Sequence, residues 1–332
     1  MAGGLRVAVV GATGALGSEV LVALDSAGLS VRELAPIATD RSLGVEVEFR
    51  GIGYPVVTER AALEGADVVF VCTPVASALD WIAEAVTRGV LAIHLSGALQ
   101  GSEAPARGPA LAELLASPEG PLVAPPPGPA LSWLRVLAPL HEALGVRRVV
   151  GTALLSASGS GRAGTDALYD EAVSLLSQGG PDDEELPALD HPIAFDVLPW
   201  HGRLGDDDAS EAERTLGAAL QRGLGGGVGV SLTVLRVPTF CGDGASLAIE
   251  LGAPAEPAQI RELLRKALDV ELFDDPRGPT TRGAAGAERV LVGRVRRDPG
   301  CPAGVLLWLA ADSARLAAVD AVRTAIGRLG LP

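Results

Sequence analysis

Lysine, cysteine and long apolar runs are scarce in this 332-residue chain. Lysine occurs once, at Lys266, so arginine supplies almost all of the positive charge. The 27 basic residues are outnumbered by 41 acidic ones, and the net charge of −14 argues against non-specific binding to nucleic acid or to an anionic membrane surface. No apolar run approaches the length that a membrane-spanning helix needs.

Cysteine and histidine are too few and too dispersed to build a scaffold. The three cysteines are odd in number and far apart, which excludes a disulfide framework and suits a reducing compartment. The histidines show no metal-ligand spacing, so we expect no metal site. The N-terminal residues lack the regions of a signal peptide, and we therefore expect a cytoplasmic protein. These residues are Cys72, Cys241, Cys301, His94, His141, His191 and His201.

Apolar residues make up 48% of the chain, enough for substantial cores, and its length favours two domains. In the first part, short apolar runs alternate with helical patterns, which predicts an α/β domain with a doubly wound parallel sheet of the Rossmann type. Longer alternating strands with few helices follow, which predicts an α+β domain with a mixed, mainly antiparallel sheet. Proline-rich segments at 118–121 and 125–129 mark the boundary, and acidic segments at 179–190 and 205–209 are predicted loops.

The glycine-spaced turn Gly11–Gly17 is the most informative segment. The apolar strand Val7–Val10 precedes it and an amphipathic segment follows. Glycines let the backbone approach a pyrophosphate, and the amides at the start of a helix point at its charge. The pattern predicts a dinucleotide site, although GxxGxxG turns also join strands to helices without a ligand. The residues predicted to contact the cofactor here are Gly11, Thr13, Gly14, Ala15 and Leu16.

The segment Thr39–Ser42 follows the second predicted strand, where a dinucleotide fold places the adenosine ribose. Arg41 beside the hydroxyl of Ser42 favours a 2′-phosphate and hence NADP, whereas Asp40 would favour a free 2′-hydroxyl. An ordinary capped loop is the alternative.

Seven ordered motifs, together with residues 311–312 before the last helix, make the chain resemble the aspartate-semialdehyde dehydrogenase family over nearly its whole length, and within it the catalytically degenerate Usg-type homologues. They are RVAVVGATGALG (6–17), TDRSLG (39–44), PLHEALGVRRVV (139–150), SASGSG (156–161), IAFDVLP (193–199), RVPTFCG (236–242) and VGRVRRDP (292–299).

The resemblance implies NADP as cofactor, a homodimer, and reduction of β-aspartyl phosphate to the semialdehyde through a cysteine thioester. It implies a cofactor domain at 1–127, joined by a returning C-terminal helix at 312–330, and a substrate and dimerisation domain at 128–311. It also makes Ser158 and Gly159 candidate neighbours of the cofactor, although they also suit a tight turn.

The same resemblance argues against the family's reaction in this chain, because three of the family's catalytic positions carry residues of a different type here. Gly128 stands at the position of the nucleophilic cysteine, Asp243 at that of the acid/base histidine, and Leu155 at that of the orienting glutamine. Two cationic positions fall, less securely, near Gln100 and Glu213. Retained candidates for binding a small acidic metabolite are Arg236 and Glu211.

Each candidate also has a plain structural interpretation. Cys72 or Cys241 would have to replace the nucleophile, but both also suit small apolar core positions. Arg236 also suits a structural ion pair.

Three hypotheses remain. The first is an NADP-binding, catalytically degenerate family member. The second is an NADP-dependent oxidoreductase with altered chemistry, in which Asp243 or a serine serves as the acid. The third is an aspartate-semialdehyde dehydrogenase of amino-acid biosynthesis.

Overall fold

The structure, a computed structural model, describes residues 4–95, 120–178, 189 and 191–331. It divides into two compact units, Met1–Pro127 with Ala317–Pro332 and Gly128–Leu316. Gln100 and almost all of the predicted loop at 179–190 lie outside the described residues. Among the residues described, no helix is long and apolar enough to cross a membrane.

The first unit is built on a five-stranded parallel sheet, as the sequence predicts. Its strand order is β2-β1-β5-β6-β7, with helices α1 and α2 in the crossovers, which is a Rossmann-like arrangement. Val7 and Val9 of β1 enter one core cluster while Ala8 and Val10 enter another, so both faces of this sheet are buried. The elements are β1 Leu5–Val10, α1 Ala15–Ser26, β2 Val31–Ile37, β3 Glu46–Phe49, β4 Ile52–Pro55, β5 Val68–Val71, α2 Val75–Thr87, β6 Leu91–His94 and β7 Leu122–Val123.

Strands β3 and β4 form a separate antiparallel hairpin that the sequence analysis did not predict. Arg50 and Gly51 join them with φ angles of 54° and 74°, the left-handed pair that tight hairpins use. Residues Arg60–Leu63 form a 3-10 turn.

The second unit contains a six-stranded sheet of order β11-β12-β13-β10-β8-β9. Three neighbouring pairs are antiparallel and two, β8 with β9 and β11 with β12, are parallel. The prediction of a mixed, mainly antiparallel sheet is therefore confirmed. The strands are β8 Val146–Leu155, β9 Gly229–Arg236, β10 Asp243–Leu251, β11 Val270–Leu272, β12 Val290–Arg297 and β13 Gly304–Ala311.

Three helices cover one face of this sheet. Helices α3, α5 and α6 contribute Trp133, Leu220 and Ile260 to one core cluster with Val149 and Leu247 of the strands. Helix α4 packs in a smaller cluster with Leu189, Ile193, Ala194 and Leu198. The helices are α3 Gly128–Leu144, α4 Gly161–Gln178, α5 Glu211–Gly223, α6 Pro257–Lys266, α7 Thr281–Ala284 and α8 Ser313–Arg328. Helix α8 begins in the second unit, and its residues from Ala317 belong to the first.

Candidate functional site

The glycine turn lies at the carboxyl end of β1, where the backbone geometry requires glycine at two of its three glycine positions. Gly11 has a φ of 83°, which other residues rarely adopt. A Cβ atom on Gly17 would lie 2.2 Å from the carbonyl oxygen of Gly11. Helix α1 therefore begins directly against the turn, and its first amides are directed to the end of the sheet where nucleotide phosphates bind in such folds.

The predicted cofactor residues from two loops meet at this end of the sheet. The hydroxyl oxygens of Thr13 and Ser42 are 3.2 Å apart. The backbone amides of Gly11 and Ala12 both donate to the carbonyl oxygen of Ile37 at the end of β2. Arg41 is exposed in the 3-10 turn Asp40–Ser42, and Ala15 and Leu16 are half-buried at the start of α1. The Thr39–Ser42 segment thus lies beside the glycine turn.

Position 128 has no room for a side chain. Gly128 is the buried first residue of α3. A Cβ atom built on it would lie 2.2 Å from the carbonyl oxygen of Ser313 and 2.8 Å from the Cβ atom of Ser313. Real Cβ atoms essentially never approach other heavy atoms this closely. The first residue of α8 therefore occupies the space that a side chain at position 128 would fill.

Asp243 begins β10 and accepts three hydrogen bonds. Its Oδ1 accepts from the amide and from the hydroxyl of Ser156, both at 2.9 Å. Its Oδ2 accepts from the hydroxyl of Ser313. Burial raises the pKa of Asp243, and the nearby carboxylate of Asp312 raises it further, while the three hydrogen bonds oppose this shift. The hydroxyl oxygen of Ser158 lies 2.9 Å from that of Ser156, so Ser158 joins the same group.

Leu155 ends β8 and pairs in register with Arg236 of β9. Its half-buried side chain packs against the core of the second unit and has no polar atom with which to orient a ligand. Gly242 follows β9 with a φ of 83°, and a Cβ atom there would lie 2.0 Å from the carbonyl oxygen of Thr281. The close approach of α7 thus requires glycine immediately before Asp243.

Arg236 is buried and its guanidinium contacts protein groups. Its Nη2 donates to the hydroxyl of Ser160 at 2.7 Å and to the carbonyl of Ala157 at 3.3 Å. Its Nη1 lies 3.1 Å from Nε2 of His201, and Gly159 lies beside it. A cavity of about 40 Å³ adjoins these groups. It is lined by Ser160, Leu189, His191, Ile193, Leu198, Trp200, His201 and Arg236.

Trp200 and His201 belong to no spacing pattern in the sequence that indicates chemistry. Only the fold of the loop before α5 brings them to Arg236.

The two glutamates at the start of α5 differ in their roles. Glu211 is exposed, and its Oε2 lies 3.2 Å from the position of a Cβ atom on Gly202. Glu213 forms a capping box with Ser210 and accepts a hydrogen bond from the amide of Val234 at 3.1 Å. The carboxylate near the predicted cationic position therefore holds α5 against β9.

The cysteines differ in exposure. Cys72 follows β5 and packs against the core of the first unit, where burial raises the pKa of its thiol. Cys241 is exposed in the loop before Asp243. All three cysteines are free of disulfide bonds. The described residues contain no group of three or more potential ligands that could hold a metal ion.

Comparisons with known proteins identify relatives of both units. The family model "Semialdehyde dehydrogenase, NAD binding domain" matches residues 6–129, and "Semialdehyde dehydrogenase, dimerisation domain" matches residues 137–316. A USG-1 protein homolog of Pseudomonas aeruginosa is 32% identical, with 96% of each chain covered.

An aspartate-semialdehyde dehydrogenase of Synechocystis is 28% identical over 97% of this chain and 96% of its own length. The crystal structure of aspartate semialdehyde dehydrogenase II from Vibrio cholerae, complexed with ASA, has a TM-score of 0.87 at 28% identity and covers 98% of both chains.

Proposed function

Because this chain belongs to the semialdehyde dehydrogenase family, we propose that it binds NADP in its first unit but does not catalyse the aspartate-semialdehyde dehydrogenase reaction. That reaction requires a thiolate to attack an acyl phosphate, an acid/base to handle its protons, and groups that orient the acyl carbon. In that reaction a bound NADPH would supply the hydride. The residues of this chain bind the cofactor but include no thiolate at the position where the family forms its thioester.

One observation carries the proposal. Gly128, at the position of the family's nucleophile, has no side chain, and a Cβ atom there would lie 2.2 Å from the carbonyl oxygen of Ser313. A cysteine at position 128 would therefore not fit without a rearrangement, because the start of α8 fills the space of its side chain.

Of the two candidate cysteines, Cys72 is poorly suited to replace the nucleophile. The pKa of Cys72 is raised by burial, which disfavours the reactive thiolate. Cys241 is exposed, and we assign it no role in covalent chemistry.

Support for NADP comes from the region around the glycine turn. Exposed Gly14 directly precedes α1, whose first amides would face a pyrophosphate, and the hydroxyl oxygens of Ser42 and Thr13 are 3.2 Å apart. Exposed Arg41 adjoins Ser42, where a guanidinium would pair with a 2′-phosphate. The positions predicted for Ser158, Gly159 and Glu211 as ligand contacts remain part of this proposal.

We propose a homodimer formed through the second unit, which the dimerisation-domain match covers. The face of the six-stranded sheet opposite its three helices carries largely uncharged side chains, among them Val150, Thr233 and Ser246, which are exposed.

A small acidic metabolite at Arg236 would have to compete with His201 for the guanidinium. Unpaired cysteines are typical of a reducing compartment, and we propose a cytoplasmic location.

A second candidate is an active NADP-dependent carbonyl reductase. The chain of hydroxyls from Asp243 through Ser156 to half-buried Ser158 favours it, because a carboxyl group with a raised pKa can supply a proton along such a chain.

Two measurements test the proposal. Saturable binding of NADPH in a fluorescence titration is expected, and its absence would overturn the cofactor assignment. No phosphate-dependent oxidation of aspartate semialdehyde is expected. Turnover that disappears in Cys72→Ser or Cys241→Ser would show that another thiol has replaced the nucleophile. Oxidation of NADPH by simple aldehydes that depends on Ser156 would favour the second candidate.

A further inference from the structure

The start of helix α8 is held from three directions. Ser313 lies against Gly128 of α3 and donates its hydroxyl to Asp243 of β10. Asp312, the preceding residue, accepts a hydrogen bond from the amide of Arg315 at 3.0 Å, which caps the helix. Its second oxygen accepts from the amide of Gly286, in the turn that follows α7, at 2.8 Å.

The contacts at Gly128 and Asp243 depend on one another. If position 128 carried a side chain, Ser313 would have to move away, and its hydroxyl would no longer reach Asp243. If Asp243 did not accept from the amide and hydroxyl of Ser156, its carboxylate would not be held toward Ser313. The glycine of α3, the carboxylate of β10 and the serine of α8 thus form contacts that depend on one another.

We propose that Gly128, Asp243 and Ser313 form a latch that fixes the start of α8 against the start of α3, in the space of the family's active-site nucleophile. The two positions that have lost catalytic residues serve this contact. The inference rests on the proposed function only for assigning Gly128 and Asp243 to family positions. The contact itself is independent of cofactor and substrate.

The test compares two glycine substitutions in the full chain without cofactor. Gly128→Ala places a methyl group against Ser313, whereas Gly327→Ala, on the same helix α8, places it where no heavy atom lies within 4 Å. Overpacking predicts that Gly128→Ala lowers the melting temperature by roughly 5 °C or more. Hydrogen exchange of the Arg315 and Leu316 amides should accelerate at least about tenfold. Gly327→Ala should leave the exchange unchanged.

A second set of variants keeps the test decisive if Gly128→Ala fails to fold. Ser313→Ala and Asp243→Ala each remove one partner of the hydrogen bond, and the double variant removes both. A latch predicts that the Arg315 and Leu316 amides exchange faster in each single variant than in the wild type. In the double variant, these amides should exchange hardly faster than in either single variant. Wild-type exchange in both single variants, or fully additive effects, would overturn the latch. These readouts involve no NADP binding or turnover, so failure of the proposed function would appear separately.

Discussion

The glycine turn at Gly11–Gly17 and the segment around Gly128 both place a glycine where another chain segment approaches closely. At Gly17 the approaching group is the turn itself, and the effect is to bring the start of α1 to the end of the sheet. At Gly128 the approaching group is Ser313, and the effect is to fill the space that a side chain at position 128 would need. Glycine thus brings backbone amides to the end of a sheet in the first case and lets another helix pack closely in the second.

The largest expected effect comes from Gly17→Ala. The added methyl group would meet the carbonyl oxygen of Gly11, so α1 has to move away from the turn. Overpacking of this kind costs about 1–3 kcal/mol, and the displaced amides should weaken NADPH binding at least about tenfold. A fluorescence titration measures the affinity, with Gly327→Ala as the matched control. Undiminished affinity would show that the turn does not hold the cofactor.

The double variant Gly128→Cys, Asp243→His tests the other half of the comparison. It restores the two residue types of the family, but the cysteine meets Ser313, so we expect no turnover and a loss of about 1–3 kcal/mol of stability. Assays of phosphate-dependent semialdehyde oxidation and thermal unfolding measure the two outcomes. Turnover in a stable variant would mean that only the side chains, and not the space, had been lost.

Arg236→Leu asks whether the buried arginine is structural. It would leave the hydroxyl of Ser160 and the carbonyl of Ala157 without this donor, which costs about 1–3 kcal/mol. Urea unfolding measures the loss. Arg277→Leu is the comparison, since Arg277 pairs with Asp275 at the surface and its removal should change little. If Arg236→Leu kept full stability and lost binding of acidic metabolites, a ligand-binding role would replace the structural one.

Arg41→Ala sharpens the cofactor assignment. Loss of one charge-assisted contact with a 2′-phosphate should weaken NADPH binding about tenfold. NADH has no such phosphate, so its affinity should stay the same. Parallel titrations with both cofactors measure the difference, and equal losses would assign Arg41 to another part of the cofactor.

The smallest effect is the pH dependence at Asp243. Its pKa in the folded protein is raised by burial and by Asp312, so the neutral carboxyl group favours the folded state. This contribution is present below the ordinary pKa of about 4 and is lost as the pH rises through the raised value. Stability of the wild type relative to Asp243→Asn should therefore fall with rising pH. Urea unfolding at several pH values checks this, and the opposite slope would show that the hydrogen bonds outweigh burial.

The sequence predicted the elements that have strong local patterns. The apolar strand β1, its glycine turn and helix α1 follow from side-chain periodicity and glycine spacing alone. Strands β3 and β4 escaped prediction although Val47 and Phe49 alternate with Glu46 and Glu48, because each strand is only four residues long. The assignment of Gly128, Asp243 and Leu155 to the family's catalytic positions came from motif order and stays a prediction.

The sequence by itself determined the glycine-spaced turn after the first strand and the glycine at position 128. Only the tertiary structure decided which group lies against Gly128, namely Ser313. Ser313 and Gly128 lie far apart along the chain, and no local pattern relates them. Their contact, like that of Arg236 with His201, arises when α3, the strands and α8 pack together, because close packing brings together groups that periodicity and spacing cannot link.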